Sequence, residues 1–320
     1  MGLPKLSVNW REIAQRFGTA VDDLYWRAIF HYSIQDSYVE AARRLSNADR
    51  HRDALDLAGA HAKHLEPAEA AAFLIELLPA FQQGGIKPEH MVKHYAKQLL
   101  ERAYKAPDVD KTELARMEIS LIPFLGCRPQ LRVTRALLHE SPDLFAELIG
   151  YAYSEREDQD GAAERSRLAA RLIQEFVSLP PQVLFEAPPS FTAWFESVRR
   201  TSIETGCGDQ ADRVLGELLF HSPQGSDGVR PAEFIRDLFE SLRSAPLEDG
   251  FCEAASTSFG VQWRNNGPSP ESIRAKEYRV SSGQLRIRSP RTARMLDRLA
   301  NDLDHTGRWL DREITRRDAR

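Results

Sequence analysis

The sequence predicts an all-α protein: an irregular helical-repeat array, HEAT- or TPR-like, of antiparallel helix pairs with a long C-terminal helix. Three observations carry this reading. Apolar residues recur at i, i+3, i+4 and i+7 in one segment after another, while period-two alternation is confined to a patch around Leu285 and Ile287. Short connections rich in Gly, Pro and capping residues separate the segments, which forces neighbours to pack antiparallel. The composition, 42% hydrophobic and 28% charged, suits a stack in which every helix keeps one wet face.

The elements follow in order. Trp10, Ile13 and Phe17 share a face of a first helix that Gly18 ends. Leu24, Tyr25, Ala28 and Ile29 form the stripe of a second, Val21 to Tyr32. Asp36 is placed to cap a third, bearing Val39, Ala42 and Leu45. A fourth, Arg50 to Leu65, turns Leu55, Ala58 and Ala62 inward. Glu66-Pro67 opens the fifth, because proline at the first helical position gives up an amide that has no partner anyway. Its face is Ala71, Phe73, Leu74, Leu77, Leu78 and Phe81, and Gln83-Gly84-Gly85 stops it. Lys87-Pro88 introduces Glu89 to Tyr104; Thr112 caps the next helix, and Leu131 to Leu138 is a short one. Ser141-Pro142-Asp143 combines a cap, a proline and an acid that complements the helix dipole. Ser154 to Gly161 reads as an exposed loop before a helix from Arg165 to Leu179.

The strongest boundary signal is Leu179 to Pro189, where four prolines interrupt helical spacing. The chain accordingly reads as a 1–179 helical array, a 180–189 Pro-rich linker, a second helical segment at 190–258, and a 259–320 extended arm with a long basic helix. Within these, helices are expected at Ser190–Thr205, Asp209–Phe220, Pro231–Leu242 and Leu247–Thr257. Tyr278 to Arg288 is expected to be a short strand or extended arm. Ser289-Pro290 starts the last helix, with Leu296, Leu299, Leu303, Gly307, Leu310 and Ile314 along one stripe.

Chemistry is sparse. His90 and His94 stand one turn apart, a zinc-compatible spacing, but Met91 occupies the position a metalloprotease helix gives to glutamate and no third ligand lies at motif distance. His61 and His64 are also one turn apart, three residues rather than four. No metal and no cofactor is expected. Gly206-Cys207-Gly208 before a helix lacks the Gly-Lys-Ser/Thr ending of a phosphate loop, and a helix end followed by an Asp209 cap accounts for it. Cys127, Cys207 and Cys252 form no CxxC pair, which points to a reducing, cytoplasmic location. Apolar runs such as Phe73 to Leu78 fall far short of a membrane span.

The net charge of −4 argues against wholesale coating of nucleic acid. From Arg274 to Arg320, however, basic residues outnumber acidic ones 13 to 7, so Arg286, Arg288, Arg291, Arg294 and Arg298 form a candidate phosphate-contacting cluster. At the other end, Trp10, Tyr25, Trp26, Phe30, Tyr32 and Tyr38 make an aromatic segment suited to docking.

Phe251, Phe259-Gly260-Val261, Glu277-Tyr278-Arg279, Pro290-Arg291-Thr292-Ala293, Leu296 and Leu299-Ala300 follow one another in an order that resembles the C-terminal helical region of large multidomain bacterial proteins. Asp22 to Arg27 and Ala54 to Leu57 extend the similarity toward the start. Several of those proteins act in phage defence or related conflict systems. The chain departs from them at Asn266-Gly267-Pro268, where they carry a glycine pair. The resemblance implies a sensor or scaffold module and supplies no catalytic residues. The expected function is therefore a non-enzymatic helical scaffold that binds another protein of a bacterial antiviral defence system, with Tyr25, Trp26 and Trp263 as partner anchors. The alternative is a nucleic-acid adaptor using the C-terminal arginines; no membrane partner is expected.

Overall fold

The computed structural model describes residues 19–28, 38–125, 131–153, 162–178, 180–181, 183–258 and 269–318, and among them every regular element is a helix. In chain order these are α1 (Thr19–Ala28), α2 (Tyr38–Asn47), α3 (His51–Ala60), α4 (Pro67–Gln82), α5 (His90–Ala103), α6 (Lys111–Ser120), α7 (Arg132–Glu140) and α8 (Pro142–Tyr153). They continue as α9 (Ala162–Ser178), α10 (Val183–Glu186), α11 (Pro188–Glu204), α12 (Gly208–Phe220), α13 (Glu233–Leu242), α14 (Ala245–Thr257), α15 (Pro270–Leu285) and α16 (Pro290–Asp318). Single 3₁₀ turns lie at Ala62–His64 and Ile122–Phe124.

The chain divides into two compact units, Met1–Thr134 and Arg135–Arg320. In the first, Leu45, Leu55, Phe73, Leu74, Leu77, Leu99 and Met117 are sealed in one core. The face of α4 is buried as its periodicity requires, and the Glu66 amide donates to Glu69 Oε2 at 3.2 Å at its start. Gly59 of α3 faces Tyr95 of α5 so closely that an added Cβ would overlap the tyrosine side chain.

A buried carboxylate organises the end of this unit. Glu118 of α6 is fully buried. It accepts from the Tyr104 hydroxyl at 2.6 Å, the Val133 amide at 2.9 Å, the Thr134 amide at 2.7 Å and the Thr134 hydroxyl at 2.6 Å. The first turn of α7 thus receives its cap from another helix, and the charge is stabilised by four donors. Burial, and then the Glu118 charge beside it, pushes the Tyr104 phenol far above its ordinary pKa, so it stays a donor.

In the second unit Phe145, Phe176, Phe191, Trp194, Phe195, Phe239 and Phe251 form the core, with Trp194 Nε1 donating to the Leu138 carbonyl at 3.2 Å. Each such ring contributes about 1.5–3 kcal/mol on burial. Helices α12 and α14 cross at reciprocal glycines: a Cβ on Gly216 would fall on the Leu247 carbonyl, and one on Gly250 on the Arg213 carbonyl. Asp212 of α12 is paired with Arg199 at 2.7 Å and accepts from Ser244 at 2.6 Å, while Ser244 caps α14. Glu240 of α13 accepts the Thr292 amide at 2.8 Å and the Arg291 amide at 2.9 Å, capping α16 as Glu118 caps α7.

The loop from Pro223 to Pro231 is folded on a buried guanidinium. Arg236 donates to both Asp227 oxygens at 2.6 and 2.7 Å, to the Pro231 carbonyl at 2.6 Å and to the Val229 carbonyl at 2.9 Å. The hydrogen bond from Arg236 holds the Asp227 carboxyl at about 2, against the usual range near 4. Because the folded value is depressed, this stabilisation is complete above about pH 4 and disappears as pH falls toward 2. Amide exchange at Gly225 and Val229, corrected for intrinsic rates, should accelerate across that window. Asp227→Asn should remove the dependence; persistence of it in the variant would place the titrating group elsewhere.

Several expectations are corrected. Tyr278 to Leu285 is helical within α15, not a strand or arm. Residues 180–189 hold α10 and the start of α11, with Leu184 and Phe185 buried in the same core as their neighbours on both sides, whereas the units divide inside α7. The prolines at 188 and 189 occupy the first turn of α11, where they cost nothing. Cys207, not Asp209, is the N-cap of α12, and Asp110, not Thr112, that of α6. Trp10 to Phe17, Asp36 and Ser154 to Gly161 lie outside the described residues.

Candidate protein-binding surface

The sequence-proposed anchors divide. Trp26 is only half exposed: it packs on the core of the first unit, with Tyr25 edge-on at 5.1 Å and the Arg44 guanidinium 5.9 Å from its ring centre. Arg50 donates to the Trp26 carbonyl at 3.0 Å, and the indole borders a cleft of about 340 Å³ with Arg27, Glu40 and Arg43. Trp26 therefore supports α1 as well as facing solvent. Trp263 lies outside the described residues.

The five C-terminal arginines do not form a free cationic cluster. Arg291 is bound to Glu248, Arg298 pairs with Asp249 at 2.9 Å, and Arg286 stands 3.7 Å from Asp297. Arg294 turns back to the Pro290 carbonyl at 3.4 Å. Arg288 is exposed and has no carboxylate partner among the described residues. A guanidinium already neutralised gains little from a phosphate, so three of the five are poor counterion-release contacts.

His90 and His94 are exposed on the first turns of α5, and no group of three metal-capable side chains occurs among the described residues. His61 stacks on Tyr38 with ring centres 3.6 Å apart, and burial followed by the His64 charge lowers its pKa, favouring the neutral imidazole. Gly206 sits at φ 78°, ending the α11 segment. The Cys252 thiol is raised by burial despite Arg298 at 3.8 Å, so it is not an activated thiolate.

A surface the sequence reading missed lies on α15. Ala275, Ser282 and Leu285 point inward, and the opposite face carries Ile273 at 48%, Val280 at 63% and, just past the helix end, Ile287 at 95% exposure. Their spacing of seven residues aligns them in one stripe. A Cβ on Gly283 would meet nothing within 4 Å, so no part of the fold crowds this face there. Lys276 and Arg288 border it, as does Glu277, which lies 3.8 Å from Arg274, while Arg286 stands against Asp297.

No family model, curated protein or solved structure matches the chain. No helix among the described residues is long and apolar enough to cross a membrane.

Proposed function

We propose that this protein is a non-enzymatic helical scaffold, an irregular HEAT- or TPR-like array, whose α15 face docks a partner protein presenting an apolar ridge bordered by carboxylates. The apolar stripe Ile273, Val280 and Ile287, left open to water and edged by the cations Lys276 and Arg288, is the observation that carries the reading. Three large aliphatic side chains aligned on one exposed face cost solvation that an interface recovers, and the flanking cations select against basic partners. The sequence resemblance favours a partner from the same bacterial antiviral defence system.

The test compares capture by the wild-type chain with capture by Val280→Asp. Val280 is exposed, so the substitution should leave the melting curve within about 0.5 kcal/mol of wild type. Burying a carboxylate against an apolar ridge should weaken the complex at least about tenfold, and Arg288→Glu should weaken it through charge repulsion. The interaction should survive nuclease treatment. Equal capture of the same partner by Val280→Asp would end the proposal, as would its loss on nuclease treatment.

A further inference from the structure

Among the described residues a cationic surface lies away from the C-terminal arginines. On the outer face of α5, His90, Lys93, His94, Lys97 and Glu101 follow at one-turn spacing, and Lys105 extends the row just beyond the helix end. The carboxylate of that row, Glu101, is already paired with Arg132 at 3.0 Å. Beside it, Lys63 projects from the 3₁₀ turn at Ala62–His64, and the two elements enclose an open groove of about 520 Å³. Lys63, Lys97, Lys105 and Arg102 line this groove against Glu101 alone, four cations to one acid in a chain whose net charge is −4.

These lysines differ from the arginines of the same unit. Arg43, Arg52 and Arg116 lie 2.6–3.0 Å from carboxylates. Lys63, Lys93, Lys97 and Lys105 have no carboxylate partner among the described residues. Arg102 is instead spent on the groove's wall: it donates to the Leu65 carbonyl at 2.6 Å and fixes the turn that carries Lys63 against α5. Lysine ammonium groups clustered without counter-charges repel one another, and polyanion binding relieves that repulsion.

We propose that this groove binds the phosphodiester backbone of a nucleic acid, independently of sequence. The length of the row argues for a chain and against a single phosphate. Lys97 and Lys105, which line the groove, are eight positions apart, or roughly 12 Å along a helix, and Lys93 continues the row beyond the groove to roughly 18 Å. That spans about three to five phosphates at the rise of about 3.4 Å in a duplex strand. No aromatic ring other than the His94 imidazole lines the groove, so there is no stacking platform, and its charged lining of Lys63, Lys97, Arg102 and Lys105 suits phosphate contact rather than base readout. This surface is independent of the α15 stripe.

The experiment is fluorescence anisotropy with the full chain and a labelled single strand of about 20 nucleotides. With three lysines engaged, affinity should fall roughly 20-fold between about 50 and 200 mM salt. Two strands of unrelated sequence should bind alike. The triple variant Lys63→Gln, Lys97→Gln, Lys105→Gln should lose at least about tenfold in affinity at the lower salt, with its melting curve unchanged because all three side chains are exposed. Arg286→Gln with Arg288→Gln should bind as wild type does. The proposal is overturned by absence of binding at the lower salt, by a triple variant that binds like wild type, or by loss in the arginine pair alone. Preference for inorganic polyphosphate or phosphatidylserine vesicles over the nucleic acid would equally overturn it.

Discussion

Gly250→Ala should destabilise the second unit by about 3 kcal/mol, although it adds one methyl group and raises helix propensity. The added carbon would land on the Arg213 carbonyl oxygen and lie 2.8 Å from the carbonyl carbon. Its neighbour across the crossing, Gly216, meets the Leu247 carbonyl and the Phe251 amide nitrogen, the latter at 2.9 Å. These are backbone atoms of regular helices, so relief requires α12 and α14 to separate, opening the packing around Phe239 and Phe251. The propensity gain of about 1 kcal/mol is outweighed. Gly283→Ala is the internal comparison: nothing lies within 4 Å of the new carbon, and the variant should be more stable by about 0.5–1 kcal/mol. Urea unfolding of both variants checks the pair; similar midpoints would mean the two helices do not cross at their glycines.

Glu118→Ala should cost about 4 kcal/mol. The substitution strands the Val133 and Thr134 amides, the Thr134 hydroxyl and the Tyr104 hydroxyl, and leaves the start of α7 uncapped. Glu118→Gln should recover only part of the loss: its amide oxygen still accepts from two of the four donors, while its NH₂ group meets one hydroxyl that is able to accept and one backbone N–H, of Val133 or Thr134, that is not. Tyr104→Phe, which removes one donor of four, should cost about 1 kcal/mol. A Glu118→Ala cost below about 1 kcal/mol would show that water replaces the carboxylate and that α7 does not depend on it.

Helices whose buried face is apolar were legible in the sequence. Phe73, Leu74, Leu77, Leu78 and Phe81 mark α4 because 3.6 residues per turn leaves an unbroken stripe, and all five are buried. The misread helix is α15, whose inward positions include Ala275, Ser282 and Leu285: small and polar side chains leave no stripe, and Leu285 with Ile287 imitates alternation. Its outer stripe was hidden for the same reason. The proline cluster misled because proline is tolerated in a first turn, and only the burial of Leu184 and Phe185 shows that the segment belongs to a core. The arginine cluster misled because Glu248 and Asp249, which neutralise Arg291 and Arg298, come from α14, over forty residues away in the chain. Charge composition along a segment says nothing about partners supplied by another helix.

Glu118 and Glu240 make two helix starts conditional on structure elsewhere. A serine cap such as Ser244 travels with its helix and works in any fragment that contains it. The caps of α7 and α16 arrive only after α6 and α13 are in place, so these helices cannot complete their first turns autonomously during synthesis or refolding. The cap of α16 comes from a residue fifty-one positions earlier in the chain. Formation of α16 is thereby coupled to docking rather than to local propensity, which turns a long, highly charged helix from an independent rod into a cooperative part of the unit it completes.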